Sequence, residues 1–381
     1  MTSIQRPCGT LELAEVIGRH GHRLGNVLPE EQRILRAIAS CRTAALGGHV
    51  ERCNHCHHQR IAYNSCRNRH CPKCQGSACA KWMADRAKEL LNVEYFHVVF
   101  TLPDTFNSLV LSNKRVVYNL LFDAVAQTLL EVAGNPKHLG ARIGFLAILH
   151  TWGQNLTLHP HLHCVIPGGG LSPDGKWIAC RAGFFLPVRI LSRVFRGKFI
   201  DLLKRAWIAG ELHGIENDSA FARLIDASVK HDWVVYAKPP FGGPEQVLKY
   251  LARYTHRIAI SNRRLISIND RTVTFRWKDY AHHNRPRTMT LDGTEFLRRF
   301  LMHAVPRGFM RIRHFGLLAN RVRAANLSMC RRLLATPLPA IHWLIPQELP
   351  QCPICQRGHL SAGPNLSPSK LSQLLFRLDS S

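Results

Sequence analysis

The pattern of apolar and polar positions along the chain changes character at Tyr95. Before it, apolar residues recur at helical spacing and predict helices over residues 9–19 and 30–46. Residues 49–76 lack this periodicity and are dense in Cys, His, Asn and Arg. A segment of that kind buries no core of its own and needs another source of order. A further helix is predicted over residues 77–92.

From Tyr95 onward, short apolar runs alternate with amphipathic segments. Runs of strand length predict strands over residues 95–101, 143–151, 161–167 and 231–236. Helical spacing predicts helices over residues 113–132, 187–209 and 244–255, and Pro244 suits the first turn of the last one. A hairpin is predicted over residues 257–267 and 271–278. This order predicts an α+β domain with one antiparallel or mixed sheet and helices packed on it.

The chain is strongly basic, and this narrows its partners. Its 381 residues include 51 Lys and Arg against 25 Asp and Glu, which gives a formal net charge of +26. A folded protein with this excess attracts polyanions, of which nucleic acid is the commonest. A membrane surface is the competing partner, but we find no apolar run of membrane-spanning length and no signal peptide. We therefore expect a cytoplasmic protein that binds nucleic acid.

Five cysteines crowd into the segment that lacks apolar periodicity. Cys53-x2-Cys56 and Cys71-x2-Cys74 form two knuckles separated by fourteen residues. Each knuckle brings two thiolates to one side of a tight turn, and two knuckles complete a tetrahedron around Zn²⁺. We expect a structural zinc ion there, in preference to free thiols or an iron–sulfur cluster. The ligand set stays open, because further donors lie within reach: Cys66, His70, His55 and His57.

A second cysteine pair, Cys352-x2-Cys355, is half a metal site near the C-terminus, which His342 or His359 could complete. Residues 361–381 are rich in Ser, Pro and Leu and are expected to form a loose tail. The expected domains are a helical and zinc-binding domain over residues 1–92, a catalytic domain over 93–320, and a basic C-terminal extension over 321–381.

Histidines alternate in the segment His159-Pro160-His161-Leu162-His163. Residues two apart on a strand share a face, so His161 and His163 project side by side while Leu162 turns into the core. Two imidazoles so placed can hold one divalent metal ion, although a surface strand rich in histidine is the plain alternative. His159, cut off by Pro160, has a flanking role at most.

A two-histidine site needs a third ligand. Gln154 is our first choice, because its amide oxygen suits Mg²⁺ or Mn²⁺ and it falls near the mouth of the histidine strand. His150 and His159 are rival ligands.

The helix predicted after Pro244 carries Tyr250 and Tyr254 on one face, since residues four apart are neighbours on a helix. An aromatic pair packed in a core is the alternative, but Lys249, Arg253 and Arg257 are interleaved with the pair and suit phosphate contacts. A tyrosine phenolate can attack a phosphodiester and become joined to one DNA end. A divalent metal can polarise and orient that phosphate.

These residues carry a family resemblance. His161-Leu162-His163 is the histidine–hydrophobe–histidine motif of HUH endonucleases, and Tyr250-x3-Tyr254 resembles their two-tyrosine nucleophile helix. The surrounding segments resemble the two-tyrosine rolling-circle transposases of bacterial insertion sequences, which carry an N-terminal zinc-binding domain. The segments that carry this likeness are Asn64–Cys74, His150–Gln154, His159–Gly170 and Arg311–Ala319.

The resemblance implies a five-stranded antiparallel HUH sheet flanked by helices and preceded by the zinc-knuckle module. It implies nicking of single-stranded DNA at transposon ends through a 5′-phosphotyrosine, followed by transfer to target DNA near the nucleoid. It implies that Tyr250 and Tyr254 are the nucleophiles and that His161 and His163 hold the catalytic Mg²⁺ or Mn²⁺. Gln154, chosen from its position and its amide oxygen, is a weaker third ligand, and a loop amide bonded to backbone is the alternative for it. By their charge, Arg67 and Arg69 of the zinc module are candidates for DNA contacts, with plain solvation as the alternative. A plasmid replication initiator or relaxase with the same chemistry, or a non-catalytic zinc-dependent regulator, remains an alternative.

Overall fold

The computed structural model describes residues 11–241, 246–247, 259–279, 282–335 and 349–379. The predicted nucleophiles Tyr250 and Tyr254 lie outside the described residues, as do Lys249, Arg253 and Arg257. The helix predicted over residues 244–255 falls largely in the same part of the chain.

Helices and strands are numbered here in chain order within the described residues. The helices are α1 (Leu13–His20), α2 (Pro29–Ala39), α3 (Gln75–Ala87), α4 (Asn107–Ser112), α5 (Lys114–Gly134), α6 (Val188–Ile208), α7 (Asp218–Val229), α8 (Gly293–Met302), α9 (Arg323–Leu334) and α10 (Pro368–Asp379). The strands are β1 (Gly48–Cys53), β2 (Gln59–Tyr63), β3 (Tyr95–Thr101), β4 (Gly144–Trp152), β5 (Leu158–Pro167), β6 (Gly169–Leu171), β7 (Trp177–Ala179), β8 (Val235–Phe241), β9 (Leu265–Ile268), β10 (Thr272–Asp279), β11 (Arg285–Asp292), β12 (Ile312–Gly316) and β13 (Leu360–Leu366).

The chain forms two compact units, each assembled from separate segments. The first unit comprises Met1–Ala80, Ile258–Ala304 and His342–Ser381, and the second comprises Lys81–Arg257 and Val305–Ile341. This division differs from the three consecutive domains expected from the sequence. The reason is strand and helix pairing between distant segments, such as β1 with β13, which local sequence patterns do not reveal.

The second unit is built on a five-stranded antiparallel sheet with the order β12-β4-β5-β3-β8. This confirms the α+β class and the five-stranded antiparallel sheet. All nine residues of β4 are buried, as expected for an apolar strand in the interior of the sheet. β5 lies at the centre of the sheet, between β4 and β3.

Helices α5 and α6 pack over one face of this sheet and form the main core. Phe100, Leu162 and Cys164 point into that core and are fully buried. Phe195, Phe199 and Trp233 add an aromatic group to it, with ring centroids 5.2 to 6.4 Å apart. Because side chains alternate along a strand, the neighbours of Leu162 on β5 must lie on the opposite face of the sheet.

Among the described helices, α5 is long and apolar enough to cross a membrane by length and composition alone. The expectation that no apolar run reaches that length is wrong for this helix. Burial explains its composition, since 61% of the apolar window is buried inside the protein and its side chains belong to the main core.

The first unit contains two three-stranded sheets, with the orders β13-β1-β2 and β11-β10-β9. Helices α1, α2 and α8 belong to the same unit, and α10 packs against β1 and β13. Pro29 opens α2 at a position where the missing N–H costs nothing, and Asp292 caps α8 by accepting a hydrogen bond from the Thr294 N–H at 2.7 Å. The expectation of a loose tail over residues 361–381 is wrong, because strand pairing orders β13 and α10 follows it.

Candidate metal centres

The histidine strand has the alternation that its sequence predicts. Leu162 is fully buried in the core beneath α5 and α6. On the opposite face, His161 is partly exposed and His163 is 7% exposed. Leu162 thereby anchors the centre of β5 while its two neighbours present their imidazoles together on the other face.

The two imidazoles face each other through their Nε2 atoms, which lie 3.1 Å apart. The Nδ1 atom of His161 lies 2.6 Å from the His159 carbonyl oxygen, so this nitrogen carries the proton and donates it. The Nε2 atom of His161 is then the ring nitrogen that faces His163. A metal–nitrogen distance of about 2.1 Å sets adjacent ligand atoms roughly 3 Å apart in an octahedron, which matches this spacing.

His150 completes a group of three imidazoles with His161 and His163, whose ligand atoms all lie within 4.8 Å of one another. The sheet register causes this convergence, since His150 on β4 stands directly opposite His161 on β5. The His150 ring also stacks on Trp152, with ring centroids 4.6 Å apart. Gln154, our first choice from sequence, follows the end of β4 in the turn to β5 and stays a prediction, while His150, its rival, stands in the paired part of the strand beside the two histidines.

His97 on β3 contacts the His163 ring through the nitrogen that does not face His161. Its Nε2 atom lies 2.8 Å from Nδ1 of His163, and the two rings are nearly parallel. Burial lowers the pKa of His97 to about 3, with Lys238 adding to the effect, so its imidazole is neutral and can accept the His163 Nδ1–H. That hydrogen bond leaves Nε2 of His163 as the atom directed at a metal ion, the usual role of a partner behind a metal ligand. Sequence reasoning missed His97, because only the strand pairing places it there.

Eight of the cysteines that the structure describes form two groups of four, and this corrects the single site expected from the two knuckles. One group is Cys41, Cys66, Cys71 and Cys74, and the other is Cys53, Cys56, Cys352 and Cys355. The physical reason is the hairpin: the two knuckles lie at opposite ends of β2, whose five residues span roughly 16 Å. Each knuckle finds its partner thiols elsewhere in the chain.

Cys41 and Cys66 complete the first group, hereafter the inner cluster. Cys66 Sγ and Cys74 Sγ lie 3.7 Å apart, close to the edge of about 3.8 Å that Zn–S bonds of 2.3 Å give a tetrahedron. Cys66, an alternate ligand in the sequence prediction, therefore joins the thiol group, whereas His70 stays outside it. Cys41 falls within the helix predicted over residues 30–46, where a cysteine on a helix face resembles any small apolar residue.

Some basic residues of the zinc-binding module are held in ion pairs, and others are exposed. Lys73 is held in an ion pair with Glu12 at 2.5 Å, and Arg60 in one with Glu51 at 2.6 Å. Arg67 is exposed and Arg69 is partly exposed on the loop of the inner cluster. Of these four residues, Arg67 is the one that is exposed and that no ion pair holds among the described residues.

Family models match two parts of this chain. The Y2_Tnp family model, described as "Putative transposase", matches residues 144–326, and the transposase zinc-binding domain model Zn_Tnp_IS91 matches residues 14–102. The chain is 51% identical over 373 residues to "Putative transposase y4qJ" of Sinorhizobium fredii (strain NBRC 101917 / NGR234), covering 92% of this chain and 94% of that protein. It is 30% identical over 349 residues to the transposase for insertion sequence element IS801 of Pseudomonas savastanoi pv. phaseolicola, covering 88% of this chain and 82% of that protein.

The chain belongs to the IS91/IS801 family of insertion-sequence transposases. The zinc-binding domain of this family covers the whole inner cluster, and the Y2_Tnp match covers the three converging histidines. Among solved structures, the conjugative relaxase TrwC in complex with OriT DNA is similar at a TM-score of 0.23 and 14% identity, covering 64% of this chain and 72% of that chain. The family assignment rests on the sequence relatives and not on this distant likeness.

Proposed function

We propose that this transposase nicks single-stranded DNA at the ends of its insertion sequence and transfers the cut strand to target DNA. The observation that carries the proposal is the convergence of His150, His161 and His163 on one face of the central strands. Membership in a transposase family supports this role over that of a plasmid replication initiator or relaxase. The protein would act in the cytoplasm, at the nucleoid where its DNA lies.

We assign a divalent metal ion to the three histidines. Three imidazole nitrogens without a carboxylate suit Mn²⁺ better than Mg²⁺, which prefers oxygen ligands. When bound, such an ion polarises the scissile phosphate and fixes its orientation. His161 and His163 hold their ligand nitrogens in place through the His159 carbonyl and His97, so the site needs little rearrangement.

Tyr250 and Tyr254 are the proposed nucleophiles, a role that rests on the sequence motif. The phenolate oxygen of one tyrosine attacks the phosphorus, an O–P bond forms, and the bond from phosphorus to the 3′-oxygen breaks. The departing 3′-oxygen takes a proton and leaves as a free hydroxyl, while the 5′-phosphate stays on the tyrosine. A 3′-hydroxyl of another strand later attacks the phosphotyrosine, loses its proton and releases the phenol. The number of phosphodiester bonds is conserved, so resealing needs no ATP.

The adduct itself is the test. Purified protein, Mn²⁺ and an end-labelled single strand from the insertion-sequence end should yield a labelled band that survives denaturation and disappears on proteolysis. The double variant Tyr250→Phe with Tyr254→Phe should give no adduct, and mass spectrometry of the wild-type adduct identifies the modified tyrosine. Absence of any wild-type adduct would favour the non-catalytic regulator.

Tyr236 provides a matched control. It lies on β8 opposite Val99, which in turn lies opposite His163, so the three side chains share one face of the sheet. Its side chain is 52% exposed. Tyr236→Phe keeps the ring and should still form the adduct. An adduct lost in Tyr236→Phe but kept in the double variant would contradict the assignment of the nucleophiles.

A further inference from the structure

We propose that Cys53, Cys56, Cys352 and Cys355, hereafter the outer cluster, form a second structural zinc site that fastens the C-terminal segment to the zinc-binding domain. The zinc-binding family model ends at residue 102, so it contains only two of these four thiols. The inference concerns the architecture of the first unit and is independent of the proposed nicking activity.

The sulfur geometry fits zinc. Cys53 Sγ lies 3.7 Å from Cys355 Sγ, and Cys56 Sγ lies 3.6 Å from Cys352 Sγ. All four sulfur atoms lie within 4.8 Å of one another. A tetrahedron with Zn–S bonds of about 2.3 Å has edges of about 3.8 Å, so one ion at the centre reaches all four. The shortest of these distances is far above the roughly 2.05 Å of a disulfide.

The turn at Cys53–Cys56 and the turn at Cys352–Cys355 are built alike, although about three hundred residues separate them. The Cys53 N–H donates to the His58 carbonyl and the Cys352 N–H donates to the Gly358 carbonyl, each at 2.8 Å. Backbone N–H groups also point at the sulfurs, from His55 to Cys53 at 3.3 Å and from Gly358 to Cys355 at 3.4 Å. Such donors stabilise thiolates, which are the form that binds zinc. Each turn thus directs a backbone N–H group at one of its sulfur atoms, an arrangement that suits zinc ligation.

Hydrogen bonds also hold the turn at Cys53–Cys56 against the turn at Cys352–Cys355. The Asn54 N–H donates to the His359 carbonyl at 3.1 Å, and the His359 N–H returns to Asn54 Oδ1 at 2.8 Å. A Cβ atom at Gly358 would lie 2.6 Å from Cys53 Sγ, so only glycine lets the C-terminal turn approach this sulfur. Strand β13 then continues the contact by pairing with β1. These contacts place the C-terminal pair at the first knuckle and at no other position.

Apolar packing alone is a weak source of order here. In the part of the chain that the structure describes, the apolar cluster around these thiols consists of Cys53, Cys352 and Leu360, with Cys355 packed against it. So few side chains bury little apolar surface against the entropy of ordering the segment from residue 349 onward. Metal ligation supplies folding free energy directly in small modules of this kind.

The test is the zinc content of the full-length protein, purified under reducing conditions and measured by elemental analysis against protein concentration. We expect two zinc ions per chain in the wild type. Cys352→Ser with Cys355→Ser should retain one. The matched control Cys180→Ser, whose thiol belongs to neither cluster, should retain two. A wild-type value of one, or a double variant that keeps two, would overturn the proposal.

A second measurement separates loss of this ion from general misfolding. In the double variant, hydrogen exchange should rise in β13 and α10 while the central strands of the second unit keep their protection. A variant in which both units lose protection together would be uninformative on its own, so Cys355→His is made in parallel. Because zinc accepts imidazole as well as thiolate, this variant should return to two zinc ions and protect β13 again. Failure of that rescue, iron in place of zinc, or a mass two hydrogens lower per thiol pair would each contradict a zinc site.

Discussion

His150 is our candidate for the third ligand of the proposed metal site. It stands opposite His161 across paired strands, and its ring stacks on Trp152, which restricts its motion. We expect His150→Ala to weaken Mn²⁺ binding by roughly 100-fold, because a direct ligand should matter at least as much as an outer partner. Gln154→Ala should change binding by less than about threefold. Calorimetric titration of each variant with Mn²⁺ makes the comparison, and a larger loss for Gln154→Ala would restore the ligand set first expected from the sequence.

His97 acts through His163 and is a positioning residue in this interpretation. His97→Phe keeps a ring in the buried position but removes the acceptor for the His163 Nδ1–H, which lies 2.8 Å away in the wild type. We expect this variant to weaken Mn²⁺ binding by about tenfold or more. His97→Gln offers an amide oxygen as a substitute acceptor and should recover part of the loss.

Thermal unfolding measured on the same two variants distinguishes this role from simple packing. If His97 matters only for filling space, His97→Phe should be at least as stable as His97→Gln and bind Mn²⁺ as well as the wild type. That result would remove His97 from the metal site.

At the scale of single elements, the end of β12 depends on Gly316. This residue has a φ of 58° and pairs with Gly144 on β4, and a Cβ atom on it would lie 2.0 Å from the Ile143 carbonyl oxygen. Gly316→Ala therefore combines an unfavourable backbone conformation with a collision against backbone that cannot move freely. We expect a loss of roughly 3 kcal/mol or more in the free energy of unfolding.

Gly308 separates the two contributions. Its φ is 72°, and no atom lies within 4 Å of the place where its Cβ would be. Gly308→Ala should cost about 1 kcal/mol, the cost of the left-handed conformation alone. Urea denaturation of both variants gives the comparison, and equal losses would show that the contact with the Ile143 carbonyl has no energetic weight.

Elements with strong local patterns were predictable from the sequence, and pairings between distant segments were not. The strand at residues 95–101 was predicted with the bounds that β3 has, and the alternation of His161, Leu162 and His163 predicted their faces. The predicted hairpin is present as β9 and β10, although its third strand β11 was missed. β11 carries mostly exposed polar residues, so it lacks the apolar alternation by which strands are recognised.

The candidate sites follow the same rule. The thiol knuckles and the histidine pair were visible as local spacing, because their members lie within a few residues of each other. His97 and Cys41 become visible as partners only through strand register and chain topology, and the same topology selects His150 among the rival ligands and joins Cys352 to the first knuckle. When several segments assemble a metal site, one sequence therefore predicts the ligands that lie close together in the chain. The remaining ligands are identified only from the fold.

At the scale of the whole molecule, a net charge of +26 makes DNA binding strongly dependent on salt. The logarithm of the association constant for single-stranded DNA should fall linearly with the logarithm of salt concentration, with a slope of about −0.7 for each phosphate neutralised. Arg67 is exposed on the loop of the inner cluster, and among the described residues no ion pair holds its guanidinium. We expect Arg67→Ala to weaken binding across DNA sequences and to make the slope shallower by about 0.7.

Arg298→Ala is the control, because it changes the net charge by the same amount at a different place. Arg298 lies in the same unit as Arg67, and Glu295 holds its guanidinium at 2.6 Å. If Arg67 itself contacts a phosphate, Arg298→Ala should have the same slope of binding against salt as the wild type. Fluorescence anisotropy over a range of salt concentrations measures the slope for each variant. If both variants shift the slope equally, the overall charge attracts DNA and Arg67 is not a phosphate contact. An unchanged slope in Arg67→Ala would remove this arginine from the DNA-binding surface and direct attention to the basic residues around the proposed nucleophiles.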